Sequence, residues 1–426
     1  MAIFGKNNAK QPVAPTPAYR ASGANAGGEP KTPVRTTAPA EAPPVRTYNL
    51  DAPPSGGSSA PAPAPLYDAG PALEHVLLSI EELVAKAKAD GGSDVHLICN
   101  LPPKYRKDGV IQDMTSLPLT EQNCVDYAKR LAGNERRYRE FDEVGELDAS
   151  ETIADNRCRI HIFKQQGIPS VALRLLSEHI PALESLGLPA AALDLTGLHK
   201  GIVLVTGETG SGKSTTLAAM LDNINHTRRD HIVTLEDPIE YIYKPDLCAI
   251  NQREIGKDTR SFSDGLRASL REDPNVILIG EMRDRDTIET AITAAETGHL
   301  VFGTLHTGSA SDAVDRIVQV FPEGMQTQIR LQLSMCLAAV LTQQLMPKVG
   351  GGRALACEMM VVTDAIRNLI RAGNTPQIAN AIATSAAIGG QTMDQCLVRL
   401  IRSGSVTKET ALHYAKDPEY VRKNAI

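Results

Sequence analysis

Lys213 and Ser214 close the run Gly207-Glu208-Thr209-Gly210-Ser211-Gly212-Lys213-Ser214, and the spacing G-x-x-x-x-G-K-[ST] is one that grips a chain of phosphates. Gly207, Gly210 and Gly212 let the backbone approach phosphate oxygens and turn its N–H groups towards them. Lys213 adds a mobile positive charge for the β- and γ-phosphates, and the Ser214 hydroxyl suits Mg²⁺. Glu208, Thr209 and Ser211 complete the loop, and Thr215 continues it into the following segment. The flanks are those this chemistry requires. Ile202 to Val205 form a continuous apolar run, as in a strand buried on both faces. Leu217, Met220, Leu221 and Ile224 fall at i, i+3, i+4 and i+7, one apolar face of a helix whose positive end meets the anion. Strand, loop and helix in this order predict a nucleoside triphosphate site.

Three more strand ends carry groups able to act there. His231 to Leu235 read as a strand that ends in Glu236-Asp237-Pro238-Ile239-Glu240. Carboxylates at the carboxyl end of a parallel strand lie on the ligand edge of the sheet. Asn275 to Ile279 read as another buried strand, followed by Gly280 and Glu281. An acid directly after a buried strand suits a Mg²⁺-associated second motif. Gly280 stands where Asp is usual, so Glu281 does that work alone or through water. His299 to Thr304 form one more strand, and His306 at its tip is placed to sense a γ-phosphate by donating a hydrogen bond. Helices are expected around Phe262, Leu266 and Leu270 (stopped by Asp273-Pro274) and over Asp286 to Thr297.

These elements sit in a chain of 426 residues, long enough for two folded domains and a tail. Residues 1–70 are rich in Pro, Ala, Gly and Ser and lack the large apolar side chains that offset chain ordering, so a disordered tail is expected. Residues 71–178 read as a small α+β domain: a helix from Leu73 to Val84, strands at Asp94–Cys99, Lys104–Lys107 and Val110–Ile111, a helix from Thr120 to Leu131, then three more strands. Arg106, Arg157, Arg159 and Arg174 lie on those strands or at their ends. Arg157 and Arg159 share a face by two-residue alternation, open to either surface charge or a role on nucleotide phosphates. A Pro- and Gly-punctuated hinge spans 179–196, and residues 197–426 carry the phosphate loop. The last third reads as helical, with Leu333, Leu337, Val340, Leu341 and Leu345 on one stripe. A strand is expected from Ala354 to Val362, a helix capped by Thr363 and stopped at Gly373, and a capping box at Thr392–Gln395.

Composition excludes several classes. Aromatics are 4% with no Trp, and the net charge is −6, which argue against a nucleic-acid binder. Seven scattered cysteines without a C-x-x-C pair read as reduced thiols of the cytoplasm, not as a disulfide frame or a zinc site. No signal-peptide core opens the chain and no run of 18 apolar residues occurs, so membrane contact is expected only through partners.

With these residues assembled, the chain resembles the secretion-type hexameric ATPases, in particular the PilT-like pilus retraction motors. Four blocks carry the likeness: GETGSGKSTT (207–216), TLEDPIEY (234–241), ILIGEMRD (277–284) and TGHLVFGTLHT (297–307). They resemble the Walker A, Asp-box, atypical Walker B and His-box motifs, and Gly280 is itself the family pattern. AIRNLIRAG (365–373) resembles the retraction branch's C-terminal signature, and SDVHL (93–97) with PPKYRKDG (102–109) its N-terminal domain. The resemblance implies a RecA-like P-loop core of α/β class with a PAS-like N-terminal domain, assembled as a homo-hexamer. It implies ATP and Mg²⁺ as cofactors, with ATP between the core and basic N-domain residues matching Arg106, Arg157, Arg159 and Arg174. By motif position Glu240 and Glu236 polarise water, Glu281 and Ser214 serve the metal, and His306 serves the γ-phosphate. Pilus retraction is implied over assembly, because the cysteine zinc motif and longer N-terminal region of extension motors are missing. An inner-membrane platform protein and a paralogous motor ATPase are the implied partners, reached from the cytoplasmic face of the membrane. The alternatives are an accessory subunit of a sister motor and a nucleic-acid translocase. The absence of an N-K-x-D motif disfavours a GTPase.

Overall fold

A computed structural model describes residues 77–176 and 179–425. The expected tail over 1–70, and Leu73 and Val76 of the first expected helix, lie outside the described residues. The helix that follows runs Ile80–Ala89, started by a capping box in which Ser79 and Glu82 each satisfy the other's backbone N–H.

Six antiparallel strands form the first sheet: β1 (Asp94–Leu97), β2 (Lys104–Lys107), β3 (Val110–Asp113), β4 (Glu146–Ile153), β5 (Asn156–Gln165) and β6 (Ile168–Leu175), in the order β3-β2-β1-β6-β5-β4. Asp108 and Gly109 both take positive φ, 49° and 82°, the backbone that an Asp-Gly hairpin turn demands. One face carries Val95, Ile160, Ile162 and Leu173 into a core shared with the helices Ile80–Ala89, Glu121–Ala132 and Glu135–Val144. The last of these helices, Glu135–Val144, had no strong apolar periodicity, and only Phe141 of it is buried. Across the other face, register places Arg106 opposite Asp94, Asp94 opposite Arg174, and Arg174 opposite Arg159, a single row over four strands.

The second sheet holds β7 (Gly201–Thr206), β8 (His231–Glu236), β9 (Ala249–Glu254), β10 (Val276–Ile279), β11 (Leu300–Leu305), β12 (Leu337–Pro347) and β13 (Arg353–Val361). Their order is β13-β12-β7-β11-β10-β8-β9, all neighbours parallel except β12 and β13. Every residue of β7, β10 and β11 is buried, as helices on both faces of a parallel sheet require. The helix Lys213–Thr227 and connector residues Leu183, Ala192 and Leu195 cover one face. The helices Arg285–Glu296, Ala310–Gln319, Glu323–Cys336 and Asp364–Ala372 pack into the core on the other.

The C-terminal third departs from the helical stripe read in sequence. The helix Glu323–Cys336 holds Leu333 but stops at Cys336, and Leu337, Val340, Leu341 and Leu345 belong to β12. An apolar run buried on both faces satisfies helical spacing by chance, and periodicity alone does not separate the two. Gly350, Gly351 and Gly352, all at positive φ, turn β12 back into β13. Thr363 and Gly373 cap the helix Asp364–Ala372, and the Thr392–Gln395 box starts the helix Met393–Arg402.

Candidate nucleotide site

The loop Gly207–Gly212 leaves β7 and enters the helix at Lys213. Gly207 sits at φ 139°, and a Cβ there would collide with the backbone oxygen of Gln343 on β12. The strand beside the loop therefore dictates a glycine. That strand is tied in twice more: Thr206 and Thr342 share a hydroxyl hydrogen bond of 2.8 Å, and the Gln343 amide donates to the Thr216 hydroxyl at 2.8 Å. Lys213 folds over its own loop and donates to the carbonyls of Gly207 (2.8 Å) and Glu208 (2.9 Å). Burial lowers its pKa while Glu281 and Glu240 pull the other way.

Because β7, β11, β10 and β8 are neighbours running in one direction, their carboxyl ends meet at the edge where the loop lies. Ser214, Glu236, Glu240 and Glu281 line one cavity there, of about 90 Å³. That is room for a few waters or a hydrated ion, far short of a nucleotide. Glu236 accepts hydrogen bonds from Thr234 (2.6 Å) and Gln252 (3.2 Å), and enclosure pushes its carboxyl up to about 7. Glu281 is engaged by Arg283 and, at 3.3 Å, by His306 Nε2. Crowding accounts for Gly280: a Cβ there would lie 3.1 Å from the Leu235 oxygen and 3.3 Å from Glu236 Cα.

The four arginines are placed differently from one another. Arg106 donates to the Gly109 carbonyl of its own hairpin at 2.8 Å, and Arg174 pairs with Asp94 at 2.8 Å. Arg159 is exposed and acts electrostatically on Asp237, whose pKa is raised by burial and by Asp148 and pulled back by Arg159 and Arg283. Arg157 is buried between the two sheets' domains, so it departs from the expected phosphate role. Its guanidinium donates to Glu254 (3.0 Å), Ser150 (2.6 Å) and the Ile239 carbonyl (3.1 Å), while Glu254 also accepts from Ser150 and from Ile239 N at 3.3 Å. Alternation put Arg157 and Arg159 on one face but could not tell which of them the other domain would cover.

Sequence reading missed Gln252 and Glu254 because it missed β9. The signal available was their alternation along Ala249–Glu254, in a strand at the edge of the sheet. It also missed His413 to Lys416, which line a separate cleft against Glu208–Ser211.

The sequence profile of the Type II/IV secretion system protein family matches residues 72–351. The type IV pilus retractation ATPase PilT of Pseudomonas aeruginosa is 45% identical over 343 residues, covering 80% of this chain and 99% of that protein. A twitching motility protein of Neisseria gonorrhoeae is 42% identical over 72% of this chain and 83% of its own length. The type IV pilus ATPase PilU of Pseudomonas aeruginosa is 36% identical over 81% and 91%. A crystal structure of the pilus retraction motor PilT with bound ADP superposes with a TM-score of 0.76 at 44% identity, over 82% of this chain and 100% of that one. The architecture is thus a RecA-like P-loop core with a PAS-like N-terminal domain. With its phosphate loop, acidic strand tips and these relatives, the chain belongs to the Type II/IV secretion system protein family, as a PilT-like ATPase.

Proposed function

We propose that this protein is a Mg²⁺-dependent ATP-hydrolysing motor that works as a ring of six and powers retraction of type IV pili. The observation that carries the reading is the convergence of Ser214, Glu236, Glu240 and Glu281 on one cavity beside the phosphate loop. In this mechanism the loop N–H groups hold the phosphates, and Lys213 leaves the Gly207 and Glu208 carbonyls for the β- and γ-oxygens. The oxygen donors of Ser214 and Glu281 fit a hard divalent cation, and bound Mg²⁺ neutralises charge across the phosphates. Glu236 is already anchored by Thr234 and Gln252, so Glu240 is the carboxylate assigned to take the proton of the attacking water. His306, released from Glu281, reports the γ-phosphate.

The domain over 71–178 would then move against the motor domain at 197–426 about the 179–196 connector, with Arg159 the N-domain arginine best placed towards the site. The ring is assigned to the cytoplasmic face of the inner membrane on a platform protein. No helix among the described residues is long and apolar enough to cross a membrane, which suits recruitment through such a partner. Likeness to PilU also leaves room for a sister motor in the same machine. Phosphate release by the purified protein tests the chemistry. Glu240→Gln should keep nucleotide binding and lower turnover by about 10²–10⁴-fold, and full turnover in that variant rejects the assignment. Deleting the gene should leave cells with surface pili and no surface motility, and unchanged motility rejects the retraction role.

A further inference from the structure

Between the end of β8 at Glu236 and the start of β9 at Ala249 the chain forms neither helix nor strand, and Glu240 stands on that stretch. A carboxylate that must meet a water within about 0.5 Å of a productive position needs a fixed backbone beneath it. Side chains from neighbouring elements supply one here. Ile239, one residue before Glu240, gives its carbonyl to Arg157 at 3.1 Å and its N–H to Glu254 at 3.3 Å. Tyr241, one residue after, shares a 3.0 Å hydrogen bond between its hydroxyl and that of Thr215, in the first turn of the helix that leaves the phosphate loop.

Gln252, on β9, makes more of these ties than any of the others named. Its amide nitrogen donates to the Tyr241 carbonyl at 2.8 Å and to Glu236 Oε1 at 3.2 Å, and its amide oxygen accepts from the Tyr243 N–H at 3.0 Å. Both donors and the acceptor of one planar group are engaged, which an amide alone among side chains of this length can provide. The three partners lie on either side of Glu240, and none of these bonds is to the Glu240 carboxylate itself. Gln252 does not line the cavity where Ser214, Glu240 and Glu281 meet. It reaches the chemistry only through the residues it holds.

We infer that Gln252 is a positioning residue for hydrolysis: it fixes the backbone on both sides of Glu240 and so aims that carboxylate at the attacking water, without touching the nucleotide. The inference rests on the reading of Glu240 as the base and names the side chain that sets where the base stands. The phosphate loop is held by other contacts, with Gly207 against β12 and Gln343 on Thr216. Loss of Gln252 should therefore spare nucleotide binding and act on turnover. A displacement of about 1 Å at a reacting group costs on the order of 10²-fold in rate.

Gln252→Met keeps the length of the side chain and removes all three hydrogen bonds. In the full-length protein with Mg²⁺, phosphate release at saturating ATP should fall about 10–100-fold. ADP affinity by calorimetry should stay within about 2-fold of the parent, and hydrogen exchange at the Tyr243 N–H, which loses its acceptor, should speed up. A double-mutant cycle makes the test specific. In a Glu240→Gln background, Gln252→Met should change turnover by less than about 2-fold, because the group it positions is gone. A further loss there as large as in the parent overturns the inference, as does unchanged turnover in Gln252→Met alone. Gln252→Glu keeps the acceptor for Tyr243 and loses the two donors, so it should repeat the split between turnover and affinity where the methionine variant does not fold. Loss of ADP affinity in parallel with turnover in both variants assigns Gln252 to the fold and also overturns the inference. Full turnover in Glu240→Gln alone is a separate failure: it rejects the base reading itself, and the inference with it.

Discussion

Replacing Arg157 with alanine should cost this protein far more than the loss of a surface arginine. Arg157 and Glu254 have side chains only 11% and 6% exposed, and two of the three acceptors of the guanidinium, Glu254 and the Ile239 carbonyl, lie across the boundary between the two sheets' domains. Truncation leaves the Glu254 carboxylate buried with only Ser150 and the Ile239 N–H as donors. Breaking a buried pair from one side costs about 3–5 kcal/mol, which corresponds to a fall of roughly 6–20 °C in the midpoint of the affected transition. Arg157→Lys should recover little, because one ammonium cannot reproduce a fork aimed at a carboxylate, a hydroxyl and a carbonyl. Arg157→Met with Glu254→Gln should recover most of the loss, since no charge is then stranded. Scanning calorimetry, with hydrogen exchange read at Ile239 and along β9, follows both stability and the contact. The decisive comparison is nucleotide affinity: Arg157→Ala and Glu254→Gln should affect it alike, through the loop between Glu236 and Glu240. A large loss of ATP affinity in Arg157→Ala, with Glu254→Gln normal and the midpoint unmoved, would show Arg157 on phosphate and refute this reasoning.

Other outcomes follow from single contacts. Glu236 has its pKa raised from 4.5 to about 7, so the folded state binds the extra proton between those values and stability falls as pH rises through that window, by up to about 3 kcal/mol. Denaturation midpoints from pH 4.5 to 8 should show that decline, and Glu236→Gln should flatten it; an unchanged slope in the variant assigns the decline elsewhere. Gly207→Ala drives a methyl into the Gln343 oxygen at φ 139° and should abolish ADP binding by calorimetry while the N-terminal domain's exchange protection stays unchanged. Thr363→Ala removes the cap on Ile366 N at 3.3 Å and should destabilise by about 0.5–2 kcal/mol in urea denaturation; Thr363→Ser should restore it.

Much of the site is local in sequence, and that part was readable. The phosphate loop, the acids after β8 and β10 and the histidine after β11 each sit within a few residues of the strand that positions them. Their meeting at one edge follows once the strands are parallel neighbours. What was not readable depends on partners distant in the chain. Leu337 to Leu345 fit a helix stripe until β7 and β13 are seen on either side of them. Arg157 is set apart from Arg159 by Glu254, 97 residues away, and by the Ile239 carbonyl, 82 residues away. His413 and Tyr414, which line the cleft against Glu208–Ser211, belong to no motif at all.

Gly280 has a consequence for how the two acidic tips keep their distance. Its N–H bonds the Leu235 oxygen at 2.8 Å, so β10 is drawn against β8 where both chains turn out of the sheet. Grafting the more common aspartate onto this position would set its Cβ 3.1 Å from the Leu235 oxygen and 3.3 Å from Glu236 Cα, so the two strand ends would have to give by a few tenths of an ångström between the acids they carry. The spacing of the charged tips is thus tuned by an absent side chain, to within the few tenths of an ångström that a methyl would claim.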